Sequence, residues 1–315
     1  MHILGFDIGG TKSAVLLAEW ENGEARILKR EAVMSDHTVS PTEMLDRLSA
    51  VAEGLLTKTP DVIGISCGGP LDAARGVILG PPNLPGWDNV PVVKYLEKRF
   101  HVPAKLQNDA NACALAEWRF GAGRGCRNMV FMTFGTGLGA GLILDGKLYE
   151  GTNGNAGELG HIRLAPTGPV GFGKAGSFEG FCSGGGIARL AYAMAEKAQA
   201  EGKRPLYMKE GFTQSDVTAK TVAEAALQGD ETAKEVYRTS GEYLGRGLAI
   251  LIDLLNPELI VIGSVFARSH ALLWESAERE IKKEALAVSA GVCTVLPAAL
   301  GEEIGDYAAI AAALG

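Results

Sequence analysis

Four short runs of this 315-residue chain carry residue types able to handle a phosphate and a proton. Asp7-Ile8-Gly9-Gly10-Thr11-Lys12 closes an apolar run that starts at Ile3, and the apolar pattern resumes at Ser13. Thr133-Phe134-Gly135-Thr136-Gly137-Leu138-Gly139 ends the run 129–134 in the same way, with apolar residues 142–144 and a further turn, Asp145-Gly146, behind it. Both read as glycine-rich hairpin turns, and Asp7 to Thr11 falls on Thr133 to Gly137. Without a Cβ, such turns let backbone N–H groups approach an anion closely and aim inward around it. Taken singly, each turn is equally a tight hairpin that needs glycine only for its backbone. Their repetition points to two similar domains, each offering a turn to one ligand. Spacing sets two familiar alternatives aside. A P-loop needs Lys and then Ser or Thr directly after its last glycine, but Thr11 separates Gly10 from Lys12. A dinucleotide fingerprint opens a helix after its glycines, whereas 140–144 continues as apolar strand.

Asn108-Asp109-Ala110-Asn111-Ala112 stands at the end of a short strand and leads into a helix through Phe120. Asn108 or Asp109 would cap that helix. Beside a phosphate cradle, the Asp109 carboxylate could also accept the proton of an attacking hydroxyl, the base role that phosphoryl transfer requires. Glu158 and His161, in Asn155-Ala156-Gly157-Glu158-Leu159-Gly160-His161, and Glu179 lie in a glycine-rich region suited to hydroxyl groups. A site that pairs every such group rejects an analogue that lacks one hydroxyl. As isolated loop residues they would simply be solvated.

The elements that must position these residues alternate. Helical patterns cover 41–56, 92–100, 186–200, 218–227, 230–255 and 306–314; apolar strands cover 62–66 and 259–262, the latter followed by the turn Gly263-Ser264. The class is therefore α/β. Residues 151–186 read as a long functional loop and 81–87 as a Pro-rich one. With 47% hydrophobic and 21% charged residues the chain can bury a substantial core, and its length suits two domains. A net charge of −7 argues against partners such as nucleic acid or anionic membrane and for a small neutral substrate. No basic leader or long apolar span is written, so the expected location is the cytoplasm. The five cysteines, Cys67, Cys113, Cys126, Cys182 and Cys293, are scattered singly and read as buried hydrophobes.

Taken in order, Asp7 to Lys12, Asn108 to Ala112, Gly135 to Gly139 and Gly157-Glu158-Leu159-Gly160-His161 resemble the ROK family of sugar kinases and sugar-responsive repressors, over nearly the whole chain. The resemblance implies an actin-like ATPase (ribonuclease H-like) fold, two α/β domains around a central cleft. Residues 1–117 with 301–315 would form the small domain and 118–300 the large one. It implies a cytoplasmic, dimeric enzyme that phosphorylates a hexose with Mg-ATP, Mg2+ being carried by the nucleotide. Asp109 matches the base. Asp7, Gly9, Gly10, Thr11 and Lys12 match the first phosphate motif, and Thr133, Gly135, Thr136 and Gly137 the second. Asn108, Glu158, His161 and Glu179 match sugar ligands, with Asn83, Gly68 and Gly69 beside them. Gly263 and Ser264 match the adenosine side, where the family more often has consecutive glycines.

The family's zinc motif of one His and three Cys is absent, because its cysteine positions fall on Val170, Phe172 and Ser177. No thiolate zinc site is expected, and the loop should be packed by Val170 and Phe172 instead. Glucose is the favoured sugar, with mannose, N-acetylmannosamine, N-acetylglucosamine, allose and fructose open. From other classes, a repressor would need a DNA-binding module before the first strand, for which this start leaves no room. A non-catalytic sugar sensor would have little use for Asp7, Asp109 and both turns.

Overall fold

The computed structural model describes residues 1–208, 211 and 213–315, which form two compact units. The first comprises Met1–Cys126, Gly141–Ala156 and Ala299–Gly315; the second comprises Arg127–Ala140 and Gly157–Ala298.

In the first unit the chain runs β1 (His2–Ile8), β2 (Lys12–Glu21), β3 (Glu24–Met34), α1 (Pro41–Leu55), β4 (Val62–Cys67), the short pair β5 (Leu71–Asp72) and β6 (Val77–Ile78), α2 (Val92–Phe100), β7 (Ala104–Asn108) and α3 (Asp109–Phe120). The sheet order is β3-β2-β1-β4-β7, with β1, β4 and β7 parallel and β2 and β3 antiparallel. Side chains alternate across a strand, so one sequence of apolar residues feeds two cores. Leu4, Phe6, Ile63 and Ile65 meet Leu45, Leu48 and Ala52 of α1 and Leu96 and Phe100 of α2 on one face. Ile3, Leu16, Ala18 and Val62 meet Ala309, Ile310 and Ala313 on the other. Helix α1 starts where Ser40 accepts the Glu43 N–H at 3.2 Å with Pro41 in the first turn, both favourable at an N-terminus.

The second unit begins with β8 (Met129–Phe134) and β9 (Leu138–Leu144), whose last residues turn into β10 (Lys147–Leu148) inside the first unit. After Gly157 come a 3-10 turn over Leu159–His161, the hairpin β11 (Val170–Gly171) and β12 (Lys174–Ala175), α4 (Phe178–Phe181), α5 (Gly184–Ala200), α6 (Ala219–Leu227), α7 (Glu231–Leu255), β13 (Leu259–Ile262), α8 (Val265–Glu284), α9 (Ala287–Ala290) and β14 (Thr294–Pro297). The last helix, α10 (Ile304–Leu314), returns to the first unit. Strands β8, β13 and β14 pair in parallel.

The elements read from periodicity are present, with ends moved by a residue or two. The expected domain limits at 117 and 300 differ more from the compact units. Residues 118–126 lie with the first unit, where Phe120 packs on Trp20 and Tyr307, and so do 141–156, where Gly141 sits directly on α3 and an added Cβ would stand 2.5 Å from Ala114 and 2.7 Å from the Ala110 carbonyl. Strand β3 went unread because it is an edge strand of mixed charge, Glu24-Ala25-Arg26-Ile27-Leu28-Lys29-Arg30-Glu31, with most residues exposed. The loop 151–186 contains the 3-10 turn, the hairpin and α4, each too short for a periodic signal. None of the five cysteines is in a disulfide, and among the described residues no helix is long and apolar enough to cross a membrane.

Helix α10 lies so close to the sheet that a Cβ on Gly64 would fall 2.0 Å from the Ala309 carbonyl oxygen and 2.7 Å from the Ala313 nitrogen. Both obstacles are backbone, which cannot rotate aside. Gly64→Ala should therefore destabilise the protein by about 3 kcal/mol or more, as overpacking against a rigid neighbour does. A urea midpoint equal to that of the wild type would show that α10 has more freedom than this packing implies.

Candidate active site

One pocket of the first unit gathers Asp7, Gly9, Gly10, Gly68, Asn83 and Asp109. Asp7 comes from the end of β1, and the β1–β2 turn carries Gly9 and Gly10. Gly10 has to be glycine because a Cβ there would lie 2.2 Å from the carbonyl oxygen of Asn83, so the 81–87 loop closes directly on the turn. Three hydrogen bonds hold the turn from beneath. Ser35 Oγ donates to the Gly9 carbonyl at 2.6 Å, the Gly9 N–H reaches Ser13 Oγ at 3.4 Å, and the Ser35 N–H donates to the Thr11 carbonyl at 3.0 Å. The Thr11 and Lys12 side chains are left exposed.

Asn108 and Asp109 sit at the junction of β7 and α3, where Asn108 is the N-cap and Asp109 the first helical residue, and both bind N–H groups of the first turn. Asn108 Oδ1 accepts from the N–H groups of Ala110 at 3.0 Å and Asn111 at 3.4 Å, and Asp109 Oδ1 accepts from Ala110 at 2.8 Å. Capping uses one atom of each side chain only. Asn108 Nδ2 lies 3.1 Å from where a Cβ on Gly69 would be, and Asp109 Oδ2 lies 3.6 Å from the same point on Gly68. Gly68 and Gly69 thus leave room in front of the free carboxylate oxygen and the free amide. Behind them Gln107 accepts from the Asn108 N–H at 2.8 Å and donates to Glu150 at 3.1 Å.

The electrostatics of this pocket are acidic. Burial, with Asp306 and Asp109 nearby, pushes Asp7 from its ordinary 3.8 up to about 6, against the hydrogen bond of Ser66 and the charge of Arg30. Burial also raises Asp109, against the hydrogen bonds from the backbone. Asp109 is surrounded by protein yet exposes surface through the pocket mouth, so water reaching it weakens that rise.

In the second unit, the β8–β9 turn is closed by Thr133, whose Oγ1 accepts the Gly139 N–H at 2.8 Å, and by the Gly135 N–H donating to the Gly137 carbonyl at 3.1 Å. The Gly184 N–H at the start of α5 donates to the Gly135 carbonyl at 2.7 Å. Thr136 is exposed at the tip. Glu179 lies against this turn: its Oε2 accepts the Leu138 N–H at 3.1 Å and would stand 2.9 Å from a Cβ on Gly137. The 3-10 turn after Glu158 is adjacent, since a Cβ on Gly160 would lie 3.2 Å from Glu179 Cβ. His161 is half-buried and Glu158 exposed.

Ser264, between β13 and α8, has φ 54° and ψ −116°, a conformation that glycine adopts freely and serine does not. Its Oγ lies 3.7 Å from the Cβ position of Gly135, which puts it at the second turn, next to buried Gly263. The sequence residues therefore fall into two sets: Asp7 to Lys12, Gly68, Gly69, Asn83, Asn108 and Asp109 in the first unit, and Thr133 to Gly137, Glu158, His161, Glu179, Gly263 and Ser264 in the second. Sequence reasoning missed Ser13, Ser35, Ser66 and Asp306. Serines in or beside strands give no local signal of a shared partner. Among the described residues no group of three His, Cys, Asp or Glu is arranged to hold a metal.

The ROK family model matches residues 3–314. A glucokinase of Streptomyces coelicolor is 32% identical over 305 residues, 96% of this chain and 94% of that protein. An N-acetylglucosamine repressor of Escherichia coli is 30% identical over 294 residues, 90% of this chain and 68% of the repressor. The crystal structure of a ROK family glucokinase from Streptomyces griseus in complex with glucose and AMPPNP aligns with a TM-score of 0.79 at 31% identity, covering 99% of this chain and 98% of that one.

The raised Asp7 carboxyl makes stability depend on pH with a definite sign. Between 3.8 and about 6 the folded state keeps a proton that the unfolded chain has lost, so stability falls as pH rises through this window and levels off above it. Asp7→Asn removes that loss. In urea denaturation the variant should match the wild type near pH 4 and exceed it by up to about 3 kcal/mol above pH 7. A constant difference at all pH values would mean that Asp7 ionises normally. Separately, Ser264→Gly should unfold no earlier than the wild type, because release from a strain of about 1–3 kcal/mol offsets the greater freedom of glycine in the unfolded chain. Clear destabilisation would contradict the strain.

Proposed function

Because this chain belongs to the ROK family and has its actin-like ATPase fold, we infer that it is an ATP-dependent sugar kinase, and we propose glucose as its acceptor, phosphorylated at the 6-hydroxyl. The observation that carries the reading is Asp109. One carboxylate oxygen is fixed on the N-terminus of α3, and the other faces the space in front of Gly68, in the pocket that the first glycine turn also lines.

In this reading Asp109 takes the proton of the sugar hydroxyl as it attacks the terminal phosphate. A base works best with a pKa near the working pH, which favours a carboxyl raised by burial. Asn108 offers its free amide to a neighbouring hydroxyl, with Gly69 leaving the space and Asn83 at the rim. Glu158, His161 and Glu179, which match sugar ligands of the family, would take sugar hydroxyls. At each turn by itself, Gly9 to Lys12 and Gly135 to Gly137, backbone N–H groups and absent side chains would admit a phosphate. Gly263 and Ser264 would lie on the nucleotide side. A magnesium ion arriving with ATP fits Asp7, whose carboxyl faces the same pocket as Asp109 and has its ionised form disfavoured, so a cation would relieve it; the ion supplies charge neutralisation between the phosphates. Glucose is favoured because relatives sharing about a third of the sequence are glucokinases and the aligned glucokinase crystal holds glucose with AMPPNP.

ADP release from Mg-ATP, measured across glucose, mannose, fructose, allose, N-acetylglucosamine and N-acetylmannosamine, tests both parts of the reading. Glucose should give the highest kcat/KM. Asp109→Asn should lower kcat by about 100-fold or more while leaving glucose binding within reach of the wild type, as loss of a general base does. Another sugar in first place would replace glucose alone. Sugar binding without turnover of any sugar would turn the chain into a sensor.

A further inference from the structure

The hairpin β11–β12 has no part in the reaction as described, yet it carries two features at odds with an idle surface loop. Phe172 at its tip is 71% exposed and has φ 43°, a left-handed backbone that is uncommon for a bulky residue. Its ring nevertheless stands edge-on to the imidazole of His161, with centroids 5.3 Å apart and planes at 89°. Two residues further on, the ammonium of half-buried Lys174 donates to the main-chain carbonyl of His161 at 2.6 Å.

The segment that carries His161 needs outside support. It is a single 3-10 turn, Leu159–His161, without a side-chain cap, and one such turn has too few hydrogen bonds to hold itself. The carbonyl at its end would otherwise lack a partner, and a cation there also suits the partial negative charge of a helical C-terminus. Other bonds fasten the hairpin in turn. Arg163 donates to the Ala175 carbonyl at 2.6 Å, and the Phe178 N–H donates to the Ile162 carbonyl at 2.8 Å. Buried Ser177 accepts from the Gly180 N–H at 3.1 Å and donates to the Gly171 carbonyl at 3.4 Å. The hairpin therefore bridges the His161 turn and α4, the element that bears Glu179.

We propose that Lys174 and Phe172 are positioning residues for sugar recognition: Lys174 fixes the main chain of His161, and Phe172 fixes the direction of its imidazole toward a sugar hydroxyl. The proposal rests on the sugar-kinase reading of this site. It accounts for a large apolar side chain kept in an exposed and strained place, because the only aromatic contact of Phe172 among the described residues is with His161.

The test is steady-state kinetics of the full chain with the best acceptor of the hexose panel and with Mg-ATP, beside thermal unfolding, for the wild type, Phe172→Gly, Lys174→Met and Lys174→Arg. Glycine takes φ 43° readily, so Phe172→Gly should unfold no earlier than the wild type. Its sugar KM should nonetheless rise about ten-fold, as a small misplacement of a binding group allows, with the KM for ATP unchanged. A merely structural role cannot give better folding with worse sugar binding. Lys174→Met should show the same selective rise, and Lys174→Arg should recover most of it, since a guanidinium can also reach a carbonyl. Sugar KM values within about two-fold of the wild type in both Phe172→Gly and Lys174→Met overturn the proposal while leaving the kinase reading intact. A wild type that turns over no sugar removes both. If Lys174→Met does not fold, Phe172→Gly decides alone.

Discussion

The close approach of α10 to β1 and β4 is the constraint on which the first unit depends. Gly5 and Gly64 permit it, since a Cβ on either would run into α10 or into a neighbouring side chain. The approach brings the start of α10 beneath the end of β1, where a Cβ on Gly305 would fall 2.5 Å from Asp7 Oδ2. Asp306 comes with it and is held by Arg30 at 2.6 Å. Asp7 thus faces competing influences. The first turn of a helix favours a negative charge by about 0.3–1 kcal/mol, and Arg30 and Ser66 work in the same direction. Burial and the neighbouring carboxylates prevail, and Asp7 settles near 6. The pocket thus disfavours its own negative charge.

The same economy of groups recurs at α3. Asn108 and Asp109 each give one oxygen to N–H groups of the first helical turn, so the hydrogen bonds that start the helix also fix the direction of the remaining amide and carboxylate oxygen. Binding the helix N-terminus therefore does not use up either side chain. Glu179 is comparable in the second unit. Its carboxylate fastens the β8–β9 turn through Leu138 and stands beside the 3-10 turn that carries His161, which joins the two turns in one small cluster.

Beside that cluster, where the sequence has Val170, Phe172 and Ser177, the loop is held by side-chain contacts. Ser177 is fully buried and bonds Gly171 of β11 and Gly180 of α4, Lys174 pins a carbonyl, and Phe172 stands edge-on to His161. The expectation that Val170 and Phe172 would pack the loop is only half met. Val170 is 46% exposed, and Phe172 makes a ring contact at the surface and does not enter a core. Ser264 differs again: it keeps the backbone shape of the glycine common there and bears the strain.

By itself the sequence determined the class of the fold, most helices and buried strands, the two glycine turns, the pairing of Asn108 with Asp109 and the family. Those features are periodic or contiguous, so a short window contains their whole physical cause. Strand β3 escaped because its exposed edge carries charges in place of an alternating apolar face, and the unit boundaries escaped because Gly141 rests on a helix some thirty residues earlier in the chain. Only the tertiary structure decided that Gly10 is reserved for the Asn83 carbonyl, that Asp306 and Ser35 serve the pocket, that Glu179 braces a turn 41 residues before it, and that Lys174 answers to His161. Each of these is a contact between residues distant in sequence. Burial and hydrogen bonding act on such neighbours through space, and no local pattern of residue types encodes which of them will meet.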